Sequence, residues 1–159
     1  MTQDAVLPAA QYVLRDSLKD FREAIDGLPL EALNWKPVEG DTNSIAVLTT
    51  HTLHSTRSWL SVATGATLPE RDRDSELLAS ATDPAAMIAF FDEFSEQCND
   101  LLKSSGAVDW AATRKTHARP GQAPEEVPAA FALIHALSHL REHVAHVGLT
   151  RQLWEAKSK

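Results

Sequence analysis

Four stretches of this 159-residue chain repeat apolar positions at the three-and-four spacing that lines one face of a helix. Leu14, Leu18, Phe21, Ile25 and Leu28 form the first stripe, with Gly27 and Pro29 as its stop signal. The run LEALNWKPVEGDTNS that follows is dense in turn formers and reads as a connector. A second helix opens at Thr42, Asn43 or Ser44, each a good N-cap. It carries Val47, Leu48, His51, Trp59 and Val62 on one side and ends at Gly65. Residues 66–82 are polar and charged, as a surface loop would be. TDP at 82–84 predicts the next start, with Asp83 as cap and Pro84 in the first helical position. Met87, Phe91, Phe94, Cys98 and Leu101 make the third stripe, and Gly106 follows. Residues 107–124 are mixed, with a turn at Arg119-Pro120-Gly121. The fourth helix is expected to begin between Pro124 and Pro128 and to run to Trp154, with Glu125 and Glu126 favouring the positive end of its dipole. No segment alternates as a strand and no repeat appears. The pattern predicts an all-α four-helix bundle with two long connections, residues 1–159 forming one domain.

The fourth helix breaks its own pattern. HALSHLREHVAHVGLTRQLW places His135, His139, His143 and His146 within twelve residues. At about 100° per residue, with His139 at zero, His135 falls near about −40°, His143 near about +40° and His146 near about −20°. Ala132, Ala136, Thr150, Leu153 and Trp154 share that sector, while Arg141, Gly148 and Gln152 lie on the other side. The four imidazoles are therefore expected to face the bundle interior. Burying them unpartnered costs about 1–3 kcal/mol each, and charging them together costs more. A divalent metal compensates directly, because neutral imidazole is its commonest protein ligand. Residues at i and i+4 bring two ring nitrogens onto one ion, and HxxxH occurs twice here in overlap, His135/His139 and His139/His143. On the second helix His51 lies with Val47, Leu48, Ser55, Ser58 and Val62, so it too points inward, whereas His54 sits at the boundary. His51 plus a pair from the fourth helix makes a three-nitrogen site with a coordination position left open. The competing reading is a set of core histidines hydrogen-bonded to Ser and Thr neighbours.

Composition narrows the function classes. The net charge of −7 argues against nucleic acid as a partner. A single cysteine, Cys98, excludes internal disulfides and suits a reducing, cytoplasmic compartment; it sits in an apolar stripe and reads as a core thiol. No basic stretch followed by an apolar run opens the chain, and no segment reaches 18 consecutive apolar residues, so neither a signal peptide nor a membrane span is expected.

With those residues in place the whole chain resembles the DinB-like superfamily, also called YfiT-like metal-dependent hydrolases. The likeness rests on LEALNWKPVEGDTNSIAVLTTHTLHSTRSWL, then a helical middle, then HLREHVAHVGLTRQLW. In that family a histidine early in the second helix, eight residues before a Trp, is a metal ligand; HTLHSTRSW puts this role on His51, with Trp59 as the aromatic. The other two ligands come from an HxxxH in the last helix, matched by His139 and His143, with His146 at the polar position that follows. Ala145 stands where the family has Gly, and His135 is an additional histidine one turn earlier, so His135/His139 stays open as the pair. The resemblance implies a buried three-histidine site for zinc or nickel, a homodimer, and in some relatives transfer or use of a low-molecular-weight thiol.

Function is accordingly read first as a metalloenzyme for hydrolysis or thiol transfer on a small-molecule substrate. His51, His139 and His143 are the ligands, and His146 or His135 is an outer partner or alternative ligand. Trp59 and Trp154 are candidate pocket walls, and Trp35 and Trp110 candidate loop anchors. Glu142 reads as solvated beside Arg141, and Arg114, Lys115, His117 and Arg119 as a basic loop. Two other readings are kept: a non-catalytic metal-binding or stress-related module whose shell is closed by His135 or His146, and a metal-free helical dimerisation module.

Overall fold

A computed structural model describes residues 5–118 and 121–157 of the chain. Six helices and one two-stranded antiparallel ladder occur among them: α1 (Val6–Ile25), α2 (Leu30–Asn34), α3 (Ile45–Thr64), α4 (Arg73–Leu77), α5 (Pro84–Ser104), β1 (Thr113–Lys115), β2 (Glu126–Pro128) and α6 (Ala129–Lys157).

The predicted caps are the ones used. The Ser44 hydroxyl accepts from the Val47 N–H at 3.2 Å to start α3, and the Asp83 carboxylate accepts from the Ala86 N–H at 2.7 Å ahead of Pro84. α3 ends on Gly65 at φ 75°, a left-handed conformation that L side chains avoid. A Cβ at that position would also sit 3.3 Å from the Arg114 guanidinium, which packs over it.

The four long helices form a ring in the order α1–α6–α3–α5, each packed on its two neighbours. Consecutive helices α1 and α3 are therefore diagonal, and so are α5 and α6. The bundle is all-α, as the stripes predicted. Leu14, Leu18, Phe21 and Ile25 of α1 meet Phe91, Phe94, Cys98 and Leu102 of α5, with Phe21 edge-on to Phe91 at 5.3 Å. On α5 the last buried position is Leu102, not Leu101, which is only partly buried. Leu48, Leu53 and Leu60 of α3 and Ala132, Ala136, Leu140 and Val147 of α6 complete the core.

Three connections are long rather than two, and each carries local structure. Residues 26–44 contain α2, 65–83 contain α4, and 105–128 contain the ladder. Asn34 ties the first to the second, its side chain bonding both the Ala81 carbonyl and N–H at 2.8 Å. The ladder corrects the expected start of the fourth helix. Arg114 pairs with Val127 and Lys115 with Glu126, so Glu126 lies in a strand and not in a helical turn. Pro128 explains this, because the residue before a proline is driven to extended backbone. α6 then begins at Ala129, where the N–H groups of Ala129 and Ala130 bond the carbonyls of Ala112 and Trp110 at 2.9 Å each, pairing two donors a helix start otherwise leaves open. The turn expected at Arg119-Pro120-Gly121 falls largely outside the described residues. No helix among those described is long and apolar enough to cross a membrane.

Candidate metal centre

α3 and α6 are ring neighbours, and their histidines meet between them. His51, His139 and His143 each offer a ring nitrogen, and those atoms all lie within 4.8 Å of one another. The His51 ring stands edge-on to His139 at 5.3 Å and to His143 at 5.5 Å between centroids. The i,i+4 pair on α6 faces itself through Nε2, with 3.2 Å between the two atoms. Two nitrogens bound tetrahedrally to zinc at about 2.0–2.1 Å stand about 3.4 Å apart, close to the 3.2 Å of the α6 pair, whereas the set as a whole, within 4.8 Å, would tighten around an ion.

Burial keeps the two α6 rings in the state a metal needs. Loss of solvent, then the neighbouring imidazoles, pull His139 down to about 3 and His143 to about 4. Both are therefore neutral at pH 7 and present lone pairs. His139 Nδ1 is buried and has no hydrogen-bond partner.

The histidine row differs from its expected orientation. The buried positions of α6 are Ala129, Ala132, Leu133, Ala136, Leu140, Val147 and Thr150. On a helical wheel they centre about 70° from His139. The row thus runs along the edge of the inward face rather than its middle. His139 and His143 are half-buried, and His146 is exposed, its Nδ1 3.3 Å from His143 Nδ1. Small alanines occupy the central line instead and let α6 approach its neighbours. His135 lies outside the three-nitrogen group and packs on Trp59 at 4.3 Å. His54 is the boundary residue expected, edge-on to Phe94 at 4.6 Å. Cys98 is fully buried, as expected of a core thiol, and burial pushes it up to about 12.

Because the row is at an edge, it borders a cavity of about 480 Å³. His51, His139, His135 and Trp59 form one part of its lining; Arg71, Thr116, His117 and Glu125 from the connections form another. Trp154 is not in that lining: it tilts against Trp35 at 5.6 Å and so fixes the first connection to the end of α6. Glu142 is exposed beside Arg141, whose guanidinium pairs with Asp20 at 2.7 Å. The basic segment is only partly a solvated loop. Its His117 faces the cavity with a buried, unpartnered Nε2, and burial, followed by the Arg71 charge, lowers its pKa.

Sequence reasoning missed Glu76. It lies on the five-residue α4, is 3% exposed, and its Oε2 stands 3.0 Å from His51 Nδ1. Arg71 grips the same carboxylate twice, Nε to Oε1 at 2.7 Å and Nη2 to Oε2 at 2.9 Å. Burial alone pushes this carboxyl up; the hydrogen bonds from Arg71 and His51 outweigh it and hold it at about 2. The only sequence trace is a helix-capping Asp72 in a charged stretch, which does not single out Glu76.

A sequence model of the DinB superfamily matches residues 14–147. No curated protein matches the chain. Among solved structures, a conserved protein from Enterococcus faecalis superposes with a TM-score of 0.71 at 14% identity, covering 95% of this chain and 98% of the other. A mycothiol-dependent maleylpyruvate isomerase superposes with a TM-score of 0.67 at 17% identity, covering 93% of this chain but 64% of the enzyme. A histidine-to-alanine variant of that isomerase gives the same TM-score at 16% identity. This chain thus spans less than two thirds of the isomerase's length, and at these identities the likeness is one of fold.

Proposed function

Because this chain belongs to the DinB superfamily, we propose that it is a metalloenzyme in which His51, His139 and His143 hold a divalent ion beside a small-molecule cavity. The observation that carries this reading is the convergence of three imidazole nitrogens, with His51 and His139 on the cavity wall and the His139 and His143 rings held neutral by burial. When bound, such an ion supplies Lewis acidity and makes a water or thiol an effective nucleophile near neutral pH. Zinc or nickel suits an all-imidazole donor set. Three protein ligands leave a position for substrate. A closed, non-catalytic shell is the weaker reading, because His135 lies outside the group and His146 is exposed on the far nitrogen of His143.

The substrate class proposed is a low-molecular-weight thiol, supported by the mycothiol-dependent enzyme among the structural neighbours. The cavity's own residues are compatible with such a molecule. Trp59 and Val62 offer apolar surface to a carbon chain, Ser55, Ser58 and Thr116 offer hydroxyls, and Arg73 lies on the wall with Asp72 and Asp74. Glu76, the carboxylate in contact with the triad, is engaged by Arg71 and His51 and so is not free to act as a base. A thiol at an open metal position needs none.

Elemental mass spectrometry on tag-free protein tests the centre. One divalent ion per chain is expected, lost in His51→Ala and in His139→Ala while circular dichroism stays helical. Parent protein that takes up neither zinc nor nickel overturns the proposal. Metal-loaded protein should then transfer a small thiol, and a chelator should abolish that activity.

A further inference from the structure

We propose that Glu76 is the positioning residue for His51: its carboxylate takes the hydrogen on Nδ1, leaves Nε2 as the ligand atom, and is itself held in place by Arg71. This assignment rests on the reading that the three histidines bind an ion.

The geometry carries it. Glu76 Oε2 lies 3.0 Å from His51 Nδ1, and the carboxylate's contact with Arg71 is bidentate. A carboxylate ionised by its arginine partner can only accept, so the hydrogen of a neutral His51 resides on Nδ1 and the lone pair on Nε2. Free neutral histidine favours the opposite tautomer. His139 and His143 already face each other through Nε2. The pairing with Glu76 therefore gives all three rings the same ligand atom.

Local structure is built to place this carboxylate. α4 is short, but it is capped by Asp72 Oδ1 accepting from the Ser75 N–H at 3.2 Å, and Arg71 immediately precedes the cap. Glu76 is the helix's one buried residue. A buried ion pair is a poor source of stability, since desolvation offsets most of the attraction. A fold that nevertheless buries one against a ligand histidine gains orientation from it. Carboxylates hydrogen-bonded to the far nitrogen of a metal-binding histidine change metal affinity by about 10–100-fold.

Zinc affinity, measured by competition with a chromophoric chelator, is the first test. Glu76→Ala is expected to weaken binding about 10–100-fold, and Glu76→Gln, which keeps an acceptor for Nδ1–H, is expected to weaken it less. In a His51→Ala background, Glu76→Ala should cause no further loss, because the effect runs through that one ring. A readout without metal accompanies it. Nitrogen-15 NMR of the metal-free parent should show His51 as the Nδ1–H tautomer; Glu76→Ala should shift it toward Nε2–H, and Glu76→Gln, which keeps an acceptor, should shift it less. A folded Glu76→Ala that binds zinc as tightly as the parent overturns the assignment alone, as does an Nε2–H His51 in the parent. A parent that binds no zinc overturns the ligand reading and this assignment with it. Should Glu76→Ala fail to fold, the isosteric Glu76→Gln and the parent spectrum decide.

Discussion

Cys98 and His139 both lose solvent when the chain folds, with opposite consequences for their chemistry. Burial raises the thiol to about 12, so Cys98 stays protonated and unreactive. Burial lowers the imidazole to about 3, so His139 keeps its lone pair. Ellman's reagent should therefore leave native protein unlabelled at pH 8 and label one thiol per chain in guanidinium; rapid labelling of the native state would contradict the buried placement. Arg71 and Glu76 illustrate a third effect. Arg71→Ala strips a 3%-exposed carboxylate of its charge partner and leaves it only His51. The expected cost is about 3 kcal/mol in urea unfolding at pH 7. An unchanged midpoint would mean that water replaces the guanidinium without penalty. At this scale the histidines were legible and Glu76 was not. His139 and His143 announce themselves by spacing within one helix. Glu76 meets His51 across 25 residues, from a stretch of mixed charges with no period to read.

Elements were legible where local chemistry decides them. Ser44, Asp83-Pro84 and Gly65 set helix ends through their own backbone and side-chain bonds, and the structure uses all of them. Gly65→Ala tests the strongest of these. It forces an L side chain to φ 75° and sets its Cβ against Arg114, so a loss of about 1–2 kcal/mol is expected in thermal unfolding. A neutral outcome would require the third connection to shift away from α3. What failed was decided by partners distant in sequence. A three-residue strand has no alternation to detect, and Glu126 joins one only because Lys115 lies opposite. The sector of α6 that turns inward was misjudged by about 70° for the same reason. Its histidines drew the expected centre toward themselves, while packing selects the alanine line.

For the whole molecule the consequence of those shifted imidazoles is acid sensitivity. His139 and His143 titrate at about 3 and about 4 when folded, against 6.5 when unfolded. Between pH 6.5 and those values the unfolded chain binds more protons than the folded one, so stability rises with pH there and falls on acidification. The slope is at most about 1.4 kcal/mol per pH unit for each group, reduced by their partial exposure. Glu76 adds a second phase of the same sign: its contribution is whole above 4.5 and is lost as pH falls toward about 2. In a chelator, the melting temperature should decline steadily from pH 7 to pH 4. A flat profile over that range would contradict the burial of these rings.

The ring order gives the site one more property. His139 and His143 share a helix, so a partly folded chain can present that pair, whereas His51 joins them only once α3 and α6 have docked. An ion held by all three would act as a reversible cross-link between distant parts of the chain, closing a loop of a little over half its length. The entropy removed from the unfolded ensemble grows with such a loop. Metal capture would thus report on completed assembly: weak on the lone helix, tight on the finished bundle, with the gap between the two binding free energies equal to the stability the bound ion adds to docking.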